Sequence, residues 1–132
     1  MRRPGRALLA AALALPAIAP LAAETPLAVH IHGDKAMFQV LISPGRPGHD
    51  SFVLQLMNGD GTLLPAKAAT LILSKPEGSA PPVERKASLS SDGYWRVEDV
   101  AMPSAGRWHM RIEAETAFRK VTLEEDFDMP NQ

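Results

Sequence analysis

The chain predicts an all-β fold, an immunoglobulin-like antiparallel β-sandwich of seven to eight strands. Three observations lead there. Short segments alternate apolar and polar residues with period two, as half-buried strands do. Clusters of Gly, Pro, Asn and Asp interrupt them about every 8–12 residues, the spacing of sandwich turns. No segment beyond residue 23 keeps a 3.6-residue apolar period between helix caps.

The first 23 residues are set apart from that pattern. Arg2, Arg3 and Arg6 make a basic start, Ala7–Ile18 is apolar, and Leu21-Ala22-Ala23 offers small residues before a cut. This is the order of a secretory signal peptide. The apolar run is too short, and too broken by Pro16 and Pro20, for a membrane span. Pro4-Gly5-Arg6 does not support a twin-arginine signal after Arg2-Arg3. The expected organisation is therefore a signal peptide over 1–23 and one sandwich domain over 24–132. The leader holds three of the 14 basic residues and none of the 15 acidic ones, which leaves 109 residues at net charge −4.

In order along the domain, Val29–His32 and Phe38–Ile42 alternate on either side of Gly33-Asp34-Lys35, a turn. Ser43–Asp50 holds two Pro and two Gly and reads as a loop. Ser51–Met57 sets Phe52, Leu54 and Leu56 on one side. Asn58-Gly59-Asp60-Gly61 is the strongest turn signal in the chain. Ala68–Leu73 is a short apolar run fit for a buried strand, and Pro76–Pro82 is a loop. Val83–Leu89 is a polar strand suited to a sheet edge. Ser90–Gly93 turns the chain into Tyr94–Val100, and Met102–Gly106 breaks it. Arg107–Glu115 alternates most clearly, Trp108, Met110, Ile112 and Ala114 against Arg107, His109, Arg111 and Glu113. Phe118–Phe127 is the last strand, and Asp128–Gln132 a polar, frayed tail. The expected core is Phe38, Val40, Phe52, Leu54, Leu71, Leu73, Trp95, Val97, Trp108, Met110 and Ile112.

The chemistry concentrates in Val29–Val40. Two of the four histidines, His30 and His32, are two residues apart and share one face of a strand. A four-residue loop over Gly33–Ala36 places Met37 opposite His32, and Val29, Ile31, Phe38 and Val40 on the other, apolar face. Phe38 and Val40 already supply that buried face, so Met37 has no packing reason to be apolar. Two imidazoles and a thioether are a soft donor set, suited to copper rather than magnesium or calcium. The plainer reading is two solvated histidines and a surface methionine. His49 and His109 are optional fourth ligands, and Met57 and Met102, at strand ends, are open to packing or ligation. Met110 is in phase with the core. Glu124, Glu125, Asp126 and Asp128 lack the oxygen spacing of a calcium loop and read as a solvated strand end.

Several function classes are excluded. The chain has no cysteine, which removes disulfides and any thiolate-ligated blue-copper site. There is no Gly-x-Ser-x-Gly elbow, His-Glu-x-x-His pair or phosphate-binding loop, so an enzyme is not expected. There is no basic stripe with stacking aromatics for nucleic acid, and no second apolar run long enough to span a membrane.

The His-x-His and Met of Leu27–Met37, the Pro44-Gly45-Arg46-Pro47-Gly48 loop, Gly93-Tyr94-Trp95 and Gly106-Arg107-Trp108 together resemble the YtkA-like domain. More narrowly, they resemble the soluble tail domain of bacterial copper-resistance proteins of the CopD type. The resemblance covers essentially the whole domain and departs from that type in lacking the membrane part. It implies a periplasmic immunoglobulin-like module with copper as its ion, His30, His32 and Met37 as its ligands, and copper resistance or homeostasis as its setting. A carrier of that kind has a membrane copper transporter or other envelope protein as its partner. The alternative expectation is a metal-free interaction module that docks through Val83–Leu89 and the Pro/Gly loops.

Overall fold

Period-two alternation dictates the architecture, because each strand has one apolar face to bury and two sheets can bury such faces against each other. A computed structural model describes residues 25–131. The leader expected over 1–23, and with it the start of the domain, lies outside the described residues. The strands are β1 (Leu27–His32), β2 (Ala36–Ser43), β3 (Gly48–Asn58), β4 (Ala66–Ser74), β5 (Val83–Lys86), β6 (Ser88–Leu89), β7 (Trp95–Met102), β8 (Gly106–Thr116) and β9 (Lys120–Met129). They form a five-stranded sheet in the order β1-β2-β3-β7-β6 and a four-stranded sheet in the order β5-β4-β8-β9, antiparallel throughout. No described helix is long and apolar enough to cross a membrane.

All eleven side chains expected in the core are buried. Trp108 is the largest of the fully buried side chains, and it faces Phe127 across the β8–β9 ladder. Its indole N–H donates to the Ser104 carbonyl at 2.9 Å, and the Lys75 ammonium sits 4.7 Å from the ring centroid. The core also takes Ile31, Ile42, Leu56, Val100 and Met102. Met102 is therefore packing, not a ligand.

Four local expectations are corrected. Val83–Leu89 is two strands, not one. The Ala87 amide donates to the Ala69 carbonyl at 2.9 Å, and past that point the chain leaves the smaller sheet and pairs with β7 in the larger one. Each piece is an edge strand, as the polar composition predicts, and the division raises the number of strands to nine among the described residues. His49 and Asp50 lie in β3 rather than in a loop, because Gly48–Asp50 pairs with Val100–Met102 of β7 before a register shift between Asp50 and Phe52. Such bulges let a strand keep its apolar face inward on both sides of a bend. The last strand runs on to Met129, opposite Gly106, where Met129 is 2% exposed, so the chain is held that far rather than frayed. Finally, the acidic run is not merely solvated. Glu124 and Asp126 both meet His109, and Asp128 lies 3.5 Å from Arg107.

Candidate metal site on the outer face of the larger sheet

β1 alternates buried Val29 and Ile31 with exposed His30 and His32, and β2 alternates buried Phe38, Val40 and Ile42 with half-buried Met37, Gln39 and Leu41. The turn between them closes by a hydrogen bond from the Gly33 amide to the Ala36 carbonyl at 2.9 Å. Glycine fits there because a Cβ would run into the Leu123 side chain on β9. The register is Val29↔Val40, His30↔Gln39, Ile31↔Phe38 and His32↔Met37. The four-residue loop predicts this pairing, and it sets His30, His32 and Met37 on one outer face.

The two imidazoles run side by side, with ring centroids 6.5 Å apart and planes 20° from parallel. Metal–imidazole bonds are about 2.0–2.1 Å long, so a shared ion needs the two ring nitrogens to turn toward a common point about 4 Å or less across. The ring centroids stand farther apart than that, so a shared ion calls for the rings to tilt toward each other. Both histidines are exposed at a sheet edge, so the required turn is a rotamer change that displaces no core side chain. Among the described residues, no group of three or more His, Cys, Asp or Glu side chains is arranged to hold a metal ion. A third protein ligand beside the two imidazoles would therefore have to be of another kind, such as the Met37 thioether.

The β2–β3 register carries the donor row one strand further. Met37 pairs with Met57, and Gln39 pairs with Gln55. The outer face therefore carries a row His32–Met37–Met57, and beside it a row His30–Gln39–Gln55. Past Met57 an isolated bridge brings up Leu63, which is 46% exposed. Sequence periodicity points Met57 outward, since Phe52, Leu54 and Leu56 are the buried set of β3. Only the β2–β3 register reveals that it stands beside Met37.

The structure does not bring the two optional histidines to this place. His109 is on β8, in the other sheet. Its Nδ1 lies 2.6 Å from Asp126 Oδ1 and its Nε2 lies 2.7 Å from Glu124 Oε1, so both ring nitrogens are engaged. The hydrogen bond to Asp126, then that to Glu124, hold its pKa above the usual 6.5. Both nitrogens can donate only as the imidazolium, a form that cannot ligate. His49 is at the opposite end of β3 from Met57, with Nδ1 2.9 Å from Asp99. Asp50, beside it, is 1% exposed and accepts from the Gly45 amide at 2.7 Å and the Arg46 amide at 3.4 Å. Through Oδ1 it anchors the Pro44–Pro47 loop. Two surface depressions, one near Leu27, Gly45 and Pro130 and one between Lys35 and Arg119–Leu123, contain none of the histidines or methionines of the candidate set.

No protein family matches the chain, the YtkA-like family included, and no curated protein does. Among solved structures, the chain is similar to a copper-bound variant of FetP from uropathogenic Escherichia coli strain F11. The identity is 9% and the TM-score 0.60, over 82% of this chain and 98% of that one. At that identity the likeness is one of fold: this chain is built on the same all-β framework as FetP.

Proposed function

We propose that the protein is a non-catalytic copper carrier of the periplasm, which takes up the ion on the outer face of the five-stranded sheet through His30, His32 and Met37. The observation that carries this reading is the register, which puts Met37 directly across from His32 with His30 on the same face. The donor types suit copper: imidazole serves either oxidation state and a thioether favours the cuprous one. The copper held by the FetP variant on a like fold points the same way. The leader-like order of Met1–Ala23 supports export. An exposed site at a sheet edge suits transfer to a membrane copper transporter or another envelope protein, in copper resistance or homeostasis, because a partner's ligands can approach from the open side.

The test is a copper titration of the exported protein, followed by competition with a chromogenic chelator, for the wild type and for a His30→Ala/His32→Ala double variant. Loss of binding in the double variant is the expected result; unchanged binding overturns this site. A second reading, metal-free docking at a sheet edge, is favoured by Leu89, 58% exposed on the two-residue edge strand β6. It becomes the better reading if the wild type takes up no copper.

A further inference from the structure

The outer face of β3 holds a methionine that neither the core nor the three-residue donor set accounts for. Met57 is half-buried and points away from Phe52, Leu54 and Leu56, which fill the inner face of the same strand. It lies directly opposite Met37, which lies directly opposite His32. Neighbouring strands are about 4.8 Å apart, so His32 and Met57 stand about 10 Å apart with Met37 between them. An imidazole and a thioether are both long enough to lean over the intervening residue and meet at an ion above Met37. The next member of the row, Leu63, turns its side chain over Gly93, where a Cβ would come within 2.6 Å of Leu63 Cδ1. One end of the row is thus nitrogen-bearing, and the other is sulfur-bearing and bordered by the half-exposed Leu63 side chain. An apolar border of that kind limits solvent access to a metal.

We propose, resting on the copper-carrier reading, that Met57 is a fourth ligand, and that the site is a two-imidazole, two-thioether set selective for cuprous over cupric copper. Thioethers are soft donors that select Cu(I), and two of them bias the site further than Met37 alone. Gln39 and Gln55, the corresponding members of the neighbouring row, offer only amides, so the sulfur is confined to the row that contains His32.

The experiment compares wild type, Met57→Leu and Met57→Gln by chelator competition for Cu(I) and for Cu(II), together with copper-edge X-ray absorption of the Cu(I) forms. Leucine keeps the apolar volume and the fold while removing sulfur. Glutamine matches the neighbouring Gln39–Gln55 pair. The expected result is a loss of Cu(I) affinity of at least about tenfold in both variants, the scale on which even outer-shell partners of a metal are felt. Cu(II) affinity stays nearly unchanged, and the sulfur contribution to the absorption spectrum falls from two scatterers to one. Wild type that binds Cu(I) through His30 and His32, with Met57→Leu unchanged in affinity and sulfur count, overturns Met57 as a ligand and leaves the carrier reading intact. Wild type that binds neither ion overturns both.

Discussion

Nδ1 of His109 lies 2.6 Å from Oδ1 of Asp126, while the other ring nitrogen faces Glu124 at 2.7 Å. One imidazole on β8 is clamped between two carboxylates of β9. Asp126 first and Glu124 second raise its pKa above 6.5 in the folded protein. A raised folded-state pKa means the native state binds the proton more tightly than the unfolded chain. The clamp is therefore fully stabilising below about 6.5, the unfolded value, and fades as pH rises through the higher folded value.

Replacing His109 with Gln should then cost stability at mildly acidic pH and progressively less as the solution is made alkaline. Urea midpoints of wild type and variant, measured across that range, give the difference directly. Imidazole NMR should also place His109 above the unfolded value in wild type and lower in Asp126→Asn. A difference between midpoints that grows with pH contradicts the clamp.

Trp108 anchors the core from β8. It is 1% exposed, its indole donates to Ser104, and Lys75 covers its ring. Trp108→Ala should destabilise the protein by about 3–5 kcal/mol, the usual range for emptying a large aromatic site. Trp108→Phe should cost less, because it keeps most of the apolar contact and loses the hydrogen bond to the Ser104 carbonyl. Equilibrium unfolding checks both, and a loss under about 1 kcal/mol for the alanine variant contradicts the packing described.

Asp50 does for the Pro44–Pro47 loop what a cap does for a helix. Its buried Oδ1 accepts from Gly45 N–H, and Gly45 itself holds φ +82° with Leu27 against it. Asp50→Ala leaves that amide without its acceptor and should cost about 1–3 kcal/mol. Asp50→Asn keeps an acceptor oxygen and should cost less. Thermal unfolding of the pair separates the lost hydrogen bond from the lost charge.

The core was legible in the sequence because a period-two pattern records which face each strand buries, and every side chain expected inside is inside. The His32↔Met37 pairing was legible too, since a short hairpin turn fixes its own register. Pairings across longer connections were not. Met37↔Met57 depends on where the chain re-enters the sheet after the Pro44–Pro47 loop. The hold of Asp126 and Glu124 on His109 depends on the β8–β9 register. The division of Val83–Leu89 was hidden because both halves are polar edges, and composition does not say which sheet an edge belongs to. Met129 was misjudged because Asp128 and Pro130 make a buried residue look like part of a tail.

The candidate site makes its own ordering of variants. His30→Ala and His32→Ala should each weaken copper binding far more than His49→Ala, because His49 stands at the other end of β3 with Asp99 as its partner. His109→Gln should leave binding unchanged for a similar reason, its nitrogens being engaged in the other sheet. Met37→Leu should weaken the cuprous form more than the cupric one, since the thioether is a soft donor and leucine preserves its volume. Acidification should weaken copper binding in wild type, because protons compete with the metal for imidazole nitrogen. That trend runs opposite to the His109 clamp, which gains from the same protons. Titrating copper at several pH values alongside urea unfolding of the copper-free protein therefore separates the two histidine sites. Equal effects of His49→Ala and His32→Ala on copper affinity would show that the ion is not held on the β1–β2 face.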